Sequence, residues 1–209
     1  MFLSPVAYVT MTLMLSATGF TFWLITIRGV GRPEPLSVLL AGSIVFWLPI
    51  LVTVVSMRLF VEEKRSGTIE TLLTAPVTDL EVVLGKYLGA LSFLLIAIAP
   101  AFLCIGVIER LSPVITLENL DLGALVGAAL IIFLVTAHLL SVAQVASLLT
   151  RSQIIAAICA FVGIWIALLL GSLLRLLPGF DAAVGEFLSI MHHVEEFARG
   201  SVEIGRAHV

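Results

Sequence analysis

Hydrophobic and polar positions alternate along this chain in long blocks, not residue by residue. Apolar stretches at about 5–27, 36–59, 84–108, 122–149 and 154–174 are separated by short polar segments. An α-helix rises about 1.5 Å per residue, so roughly 20 apolar residues cross the ~30 Å hydrocarbon core of a bilayer. The two-residue alternation of a membrane barrel is absent. The pattern predicts an all-α protein: a polytopic transmembrane helical bundle with five spans. Pro49 and Pro100 fall inside spans, where neighbouring helices can satisfy the backbone groups that a proline frees.

The connections differ in character. "RGVGRPEP" is a turn rich in Gly and Pro, "ERLSPVITLENLD" is a short polar loop, and "TRSQ" is a tight turn between helices. After the last span, Pro178-Gly179 marks a turn. Val184, Phe187, Leu188, Met191, Val194 and Phe197 then recur at helical spacing. They predict one amphipathic segment over 181–198, lying in the interface or on the bundle. Orientation is not fixed by charge. Arg58, Lys64, Arg65, Lys86 and Arg151 fall on one side, and Arg28, Arg32, Arg110, Arg175 and Arg199 on the other. The density of Lys64-Arg65 beside a span end leans towards a cytoplasmic 60–83 loop.

That loop, with "EEKRSGTIETLLTAPVTDLE" at its centre, is the longest polar interruption. Ser66-Gly67 breaks the extension of the second span. A short helix is expected over 68–75, with Ile69, Leu72 and Leu73 on one stripe. Pro76 ends it, because the residue before a proline is pushed out of the helical region. Thr78 with Glu81 three residues later forms a capping box, and Val77 with Val82 a hydrophobic staple. A short helix with an apolar face at the end of a bundle suits docking into a partner's groove.

Composition narrows the alternatives. The chain is 60% hydrophobic and 12% charged, with a mean hydropathy of +1.19. A soluble domain carries about a quarter charged residues. The net charge of -3 and the lack of a basic block leave no footprint for nucleic acid. Cys104 and Cys159 each lie in an apolar stretch, as packing residues do. The first apolar stretch is too long for a signal-peptide core.

Catalytic motifs fail on inspection. Gly85-Lys86 lacks the upstream glycine of a phosphate-binding loop, because Leu80 stands there. Glu62-Glu63 would need an arginine at position 67 to match a Glu-Glu-x-x-x-Arg membrane protease, and Gly67 occupies it. Adjacent His192 and His193 point to different helix faces and have no fixed third ligand. No cofactor or metal is expected. His138, Ser141, Gln144 and Ser147 place polar groups at membrane depth, where they face protein or water. They are candidates for a substrate path or a subunit interface, and equally for hydrogen bonds between helices. Small residues at 156, 160, 163, 167 and 171, with Gly123-x-x-x-Gly127 and Gly85-x-x-x-Gly89, allow close helix packing within or between subunits.

"RLFVEEKRSGTIETLLTAPVTDLEVVLGKYLGA" resembles the first cytoplasmic loop of ABC-2 type permeases. It is most similar to the branch associated with gliding motility and copper-enzyme maturation. "LSPVAYVTMTLMLSATGFTF" resembles that branch's first span, and "HHVEEFARG" its segment before the last span. The resemblance implies that the 60–83 loop is cytoplasmic and carries a coupling helix seated in a separate ABC ATPase subunit. Its site residues would be Glu62, Glu63, Lys64, Arg65, Gly67, Thr68, Glu70, Leu72, Leu73 and Pro76. It also implies an ABC-2 permease transmembrane domain over 1–203 in a bacterial inner membrane, paired with a second permease as homodimer or heterodimer. The 181–198 segment would be extracytoplasmic. A non-transporting membrane anchor or scaffold for an ATPase or motility complex would share the same loop.

Two departures stand out. The family begins with a basic cytoplasmic segment, whereas Met1 here lies almost at the first span. The family has six spans, and five are read here. "IGRAHV" at 204–209 is one translation of a common sequencing-adapter sequence. It is expected to be read-through at the point where a sixth span would follow. Resequencing the locus should find a different continuation; a genomic stop codon directly after Val209 would refute the expectation.

Overall fold

The computed structural model describes residues 5–28, 36–67, 78–111, 122–176 and 182–199. All the elements among them are helices: α1 Pro5–Arg28, α2 Leu36–Leu59, α3 Val61–Ser66, α4 Asp79–Leu111, α5 Leu122–Leu149, α6 Gln153–Leu176, α7 Ala182–Phe187 and α8 Ile190–Ala198. Five of these stretches are long and apolar enough to cross a membrane. The expected transmembrane bundle is therefore present. The expected coupling helix over 68–75, with Thr68, Glu70, Leu72, Leu73 and Pro76, lies outside the described residues, as does 204–209.

α2 is the axle of the bundle. α1, α4, α5 and α6 all pack on it, and it buries Leu40, Ile44, Val45, Leu48 and Val52 almost completely. Pro49 stays within α2 and Pro100 within α4. α1 lies at the edge, packed on α2 and α4, where the Trp47 indole donates to Thr21 Oγ1 at 2.8 Å. Lipid tails are as apolar as leucine, so no hydrophobic force pulls one span onto the next. Association rests on close packing and interhelical hydrogen bonds.

The amphipathic segment departs from expectation. It is two helices, α7 and α8, broken at Leu188-Ser189. Ser189 caps α8, accepting from the His192 N–H. Among the described stripe residues, Val194 is buried and Phe197 half-buried, whereas Phe187 and Met191 are exposed. The reason is a close backbone approach. A Cβ on Gly171 of α6 would lie 2.4 Å from the Ser189 backbone, and one on Gly127 of α5 would lie 2.4 Å from the Phe197 carbonyl. Ser37 at the start of α2 donates to the Ala198 carbonyl at 2.5 Å. The hairpin is thus wedged into the end of the bundle opposite α3, against α2, α5 and α6.

The small residues resolve accordingly. Ala156 and Ala160 are buried, and a Cβ on Gly163 would meet Val142 Cγ1 at 3.2 Å. They serve packing inside this subunit. Cβ atoms on Gly85 or Gly89 would meet nothing within 4 Å. Gly171→Ala is therefore expected to destabilise the fold by about 1–3 kcal/mol through overpacking. Gly85→Ala and Gly89→Ala should be neutral or gain up to about 1 kcal/mol from helix propensity. Unfolding of the three variants in micelles would show the ranking, and equal effects at all three sites would contradict the wedge.

Candidate functional site

The end of the bundle that carries α3 is built around a bend. α2 stops at Leu59, and Phe60 leaves helical geometry at φ −121°, ψ −26°. α3 then runs six residues to Gly67, whose φ of +74° is left-handed. Glycine adopts that conformation without a Cβ clash, which is why the helix can stop there. Leu59, Phe60 and Val61 are all buried, so the bend is part of the packed core.

Three neighbouring helices hold it. The Phe60 N–H donates to Ser147 Oγ on α5 at 3.3 Å. Lys64 Nζ donates to the Leu148 carbonyl on α5. Lys86 on α4 donates to the Leu59 carbonyl at 2.6 Å, pairs with the Glu63 carboxylate and stands 4.5 Å from the centre of the Phe60 ring. α3 itself packs on α2 and the start of α6.

The five candidate coupling residues among the described ones divide by partner. Glu62 pairs with Arg58 one turn back at 3.4 Å, a half-exposed contact contributing at most about 1 kcal/mol. Glu63 and Lys64 are engaged inward, as above. Arg65 and Gly67 are exposed. Carboxylates of the Glu62-Glu63 pair are thus neutralised within the chain, and Arg65 presents its charge outward.

The polar residues of α5 do not form one stripe. Gln144 and Ser147 are buried, with Gln144 Nε2 donating to the Val83 carbonyl on α4 at 3.1 Å. His138 and Ser141 are exposed, and Ser141 Oγ donates back to the His138 carbonyl at 2.7 Å. The spacing explains the split. Each residue advances about 100° around a helix, so successive steps of three drift by roughly 60° and carry Ser147 to the face opposite His138. Within this subunit Gln144 and Ser147 tie helices together, and the four residues do not share one face of α5.

Sequence reasoning weighed Lys86 as a phosphate-binding lysine and as an orientation charge, and missed its contacts at the bend. The signal was available: Val82, Val83, Lys86, Tyr87 and Ala90 recur at the spacing of one helix face. That face is inward, with Ala90 buried and Tyr87 donating to the Ala137 carbonyl of α5 at 2.7 Å.

The capping box stands as expected. Thr78 donates to Glu81 Oε2 through its N–H at 2.8 Å and its hydroxyl at 2.9 Å, and Thr78 Oγ1 accepts from the Glu81 N–H at 3.4 Å. These residues precede the apolar stretch that begins at Leu84. The backbone bond first, and the hydroxyl bond second, lower the Glu81 carboxyl below its ordinary value. A lowered folded-state value means that the ionised cap stabilises α4 above the unfolded value. That contribution is lost as pH falls through the folded value. In an NMR titration Glu81 should titrate below an ordinary glutamate. Thr78→Ala should raise the midpoint without fully restoring it, because the N–H remains. An unchanged midpoint would contradict the geometry.

Comparison with known proteins follows on this architecture. Neither the curated proteins nor the solved structures yield a match. The family model described as ABC-2 family transporter protein matches residues 1–188, which takes in all five spans, the bend and α7. The chain, a multi-pass helical membrane protein, belongs to the ABC-2 transporter family.

Proposed function

We propose that this chain is the membrane-spanning permease subunit of an ATP-driven ABC-2 transporter. A separate ABC ATPase docks at the α3 end of the bundle, and the 68–75 segment that follows Gly67 is the peg that enters it. Glu70, Leu72 and Leu73 make the contact, Thr68 and Pro76 bound the peg, and Arg65 with its neighbours Glu62, Glu63 and Lys64 sets its base. The chain hydrolyses no ATP itself. It works as a homodimer or with a second permease, in a bacterial inner membrane, with α7 and α8 on the far side. The loop resemblance extends this reading to the gliding-motility and copper-enzyme-maturation branch.

One observation carries the reading: α3 is a short helix at the end of the bundle, braced by its neighbours. A flexible loop would absorb a push, whereas a rod held by α4, α5 and α6 passes it on. ATP-driven closure of two ATPases would shift the bundle between two states by its differential affinity for them. His138 and Ser141, exposed on α5, are where a second permease or a substrate path would meet this subunit. Gln144 and Ser147 set the position of that helix.

Photocrosslinkers at Leu72 and Leu73 are expected to capture an ABC ATPase, and a Glu70→Ala/Leu73→Ala chain should retain less than about a tenth of ATP-dependent transport. A tenfold loss corresponds to about 1.4 kcal/mol of coupling. Intact ATPase binding and transport in that double variant would overturn the assignment. ATPase binding without ATP-dependent movement of any solute in vesicles would mark the chain as a membrane anchor instead.

A further inference from the structure

We infer that Lys86 is the positioning residue that transmits movement of α3 into α4. This inference rests on the permease reading above and deepens it.

The α2–α3 rod bends at Phe60, and the bend frees backbone groups on both sides. The Phe60 N–H is taken by Ser147, and the Leu59 carbonyl by Lys86. The same ammonium pairs with Glu63, in the first turn of α3, and lies over the Phe60 ring. A single charge on α4 therefore grips the last residue of α2, the bend itself and the following helix. Its side chain is only 18% exposed, against 36% and 53% for the Arg58–Glu62 pair beside it.

That difference decides what happens under load. The Arg58–Glu62 pair lies within one stretch of chain and its side chains are more exposed, although Arg58 Nε itself is buried, so it parts at lower cost. Parting Glu63 from Lys86 would leave a largely desolvated charge without its partner, which is costly. When Glu63 is displaced, Lys86 following it is the favoured response. Lys86 sits near the start of α4, a helix that runs 33 residues to Leu111. Displacement there is delivered to the opposite end of the bundle. Ser147 and Lys64 tie the bend and α3 to α5 through hydrogen bonds, whereas the tie to α4 is a charge pair that resists parting.

The test uses the full chain with Cys104 and Cys159 replaced, in nanodiscs, with the ABC ATPase that crosslinkers at Leu72 and Leu73 capture. Spin labels at Leu103→Cys and Val126→Cys, both exposed, report the distance between the far parts of α4 and α5. With ATP and vanadate, the chain bearing Lys86 should show a change in this distance. Lys86→Met should bind the ATPase within about twofold of that chain and lose the change. Lys86→Arg should keep it. A Lys86→Met chain that still responds would overturn the inference alone. So would one whose ATPase affinity falls tenfold, since Lys86 would then only shape the docking surface. A Lys86→Arg chain that lost the response would equally count against it. If the chain with Lys86 intact binds no ATPase, the permease reading fails and this inference falls with it.

Discussion

Side chains that reach from one helix to the backbone or hydroxyl of the next are what hold this bundle together. In water, burial of apolar area would do most of that work. In lipid it contributes little between spans, and each interhelical hydrogen bond adds about 1 kcal/mol or less. The ties reach α1, α2, α4, α5 and α8, while α6 joins by close packing. Trp47 joins α2 to α1, Tyr87 joins α4 to α5, Gln144 joins α5 to α4, and Ser37 joins α2 to α8. At the α3 end, Ser147 and Lys86 fasten the bend from two sides. Backbone groups freed by the bend would otherwise stand unpaired in a region with little water, at a cost of several kcal/mol each.

The two ends of the bundle use these ties differently. At one end a wedge of backbone sits against Gly127 and Gly171, where no side chain intervenes. At the other, charge does the bracing: an ammonium, two carboxylates and a ring surround the bend. Backbone contact is short-ranged and stiff. Ion pairs reach farther and tolerate small displacements before they fail. The braced end suits a place where force enters, and the wedged end a place where the helices are kept in register.

The spans were legible in the sequence because length and hydropathy alone define them, and their bounds fall within a few residues of the helices. The capping box was legible because two residues three positions apart, Thr78 and Glu81, carry its chemistry. What was hidden is which face of each span points inward. A lipid-facing leucine and a core-facing leucine read alike, so the amphipathic signal that orients a soluble helix is missing. Gly85 and Gly171 carry the same small-residue signal, yet one faces open space and the other a neighbouring backbone. The bend at Phe60 has no glycine or proline to announce it. The break at Ser189 was masked by an apolar stripe that continues across it, although serine is a good helix cap.

The bond between Ser37 and the Ala198 carbonyl spans 161 positions of chain. During synthesis the first partner is made long before the second exists. The α2, α5 and α6 ends must therefore stand side by side without their wedge until α8 has been made. The newly inserted protein is a corral with its gate open, and the last described helix to emerge is the one that shuts it.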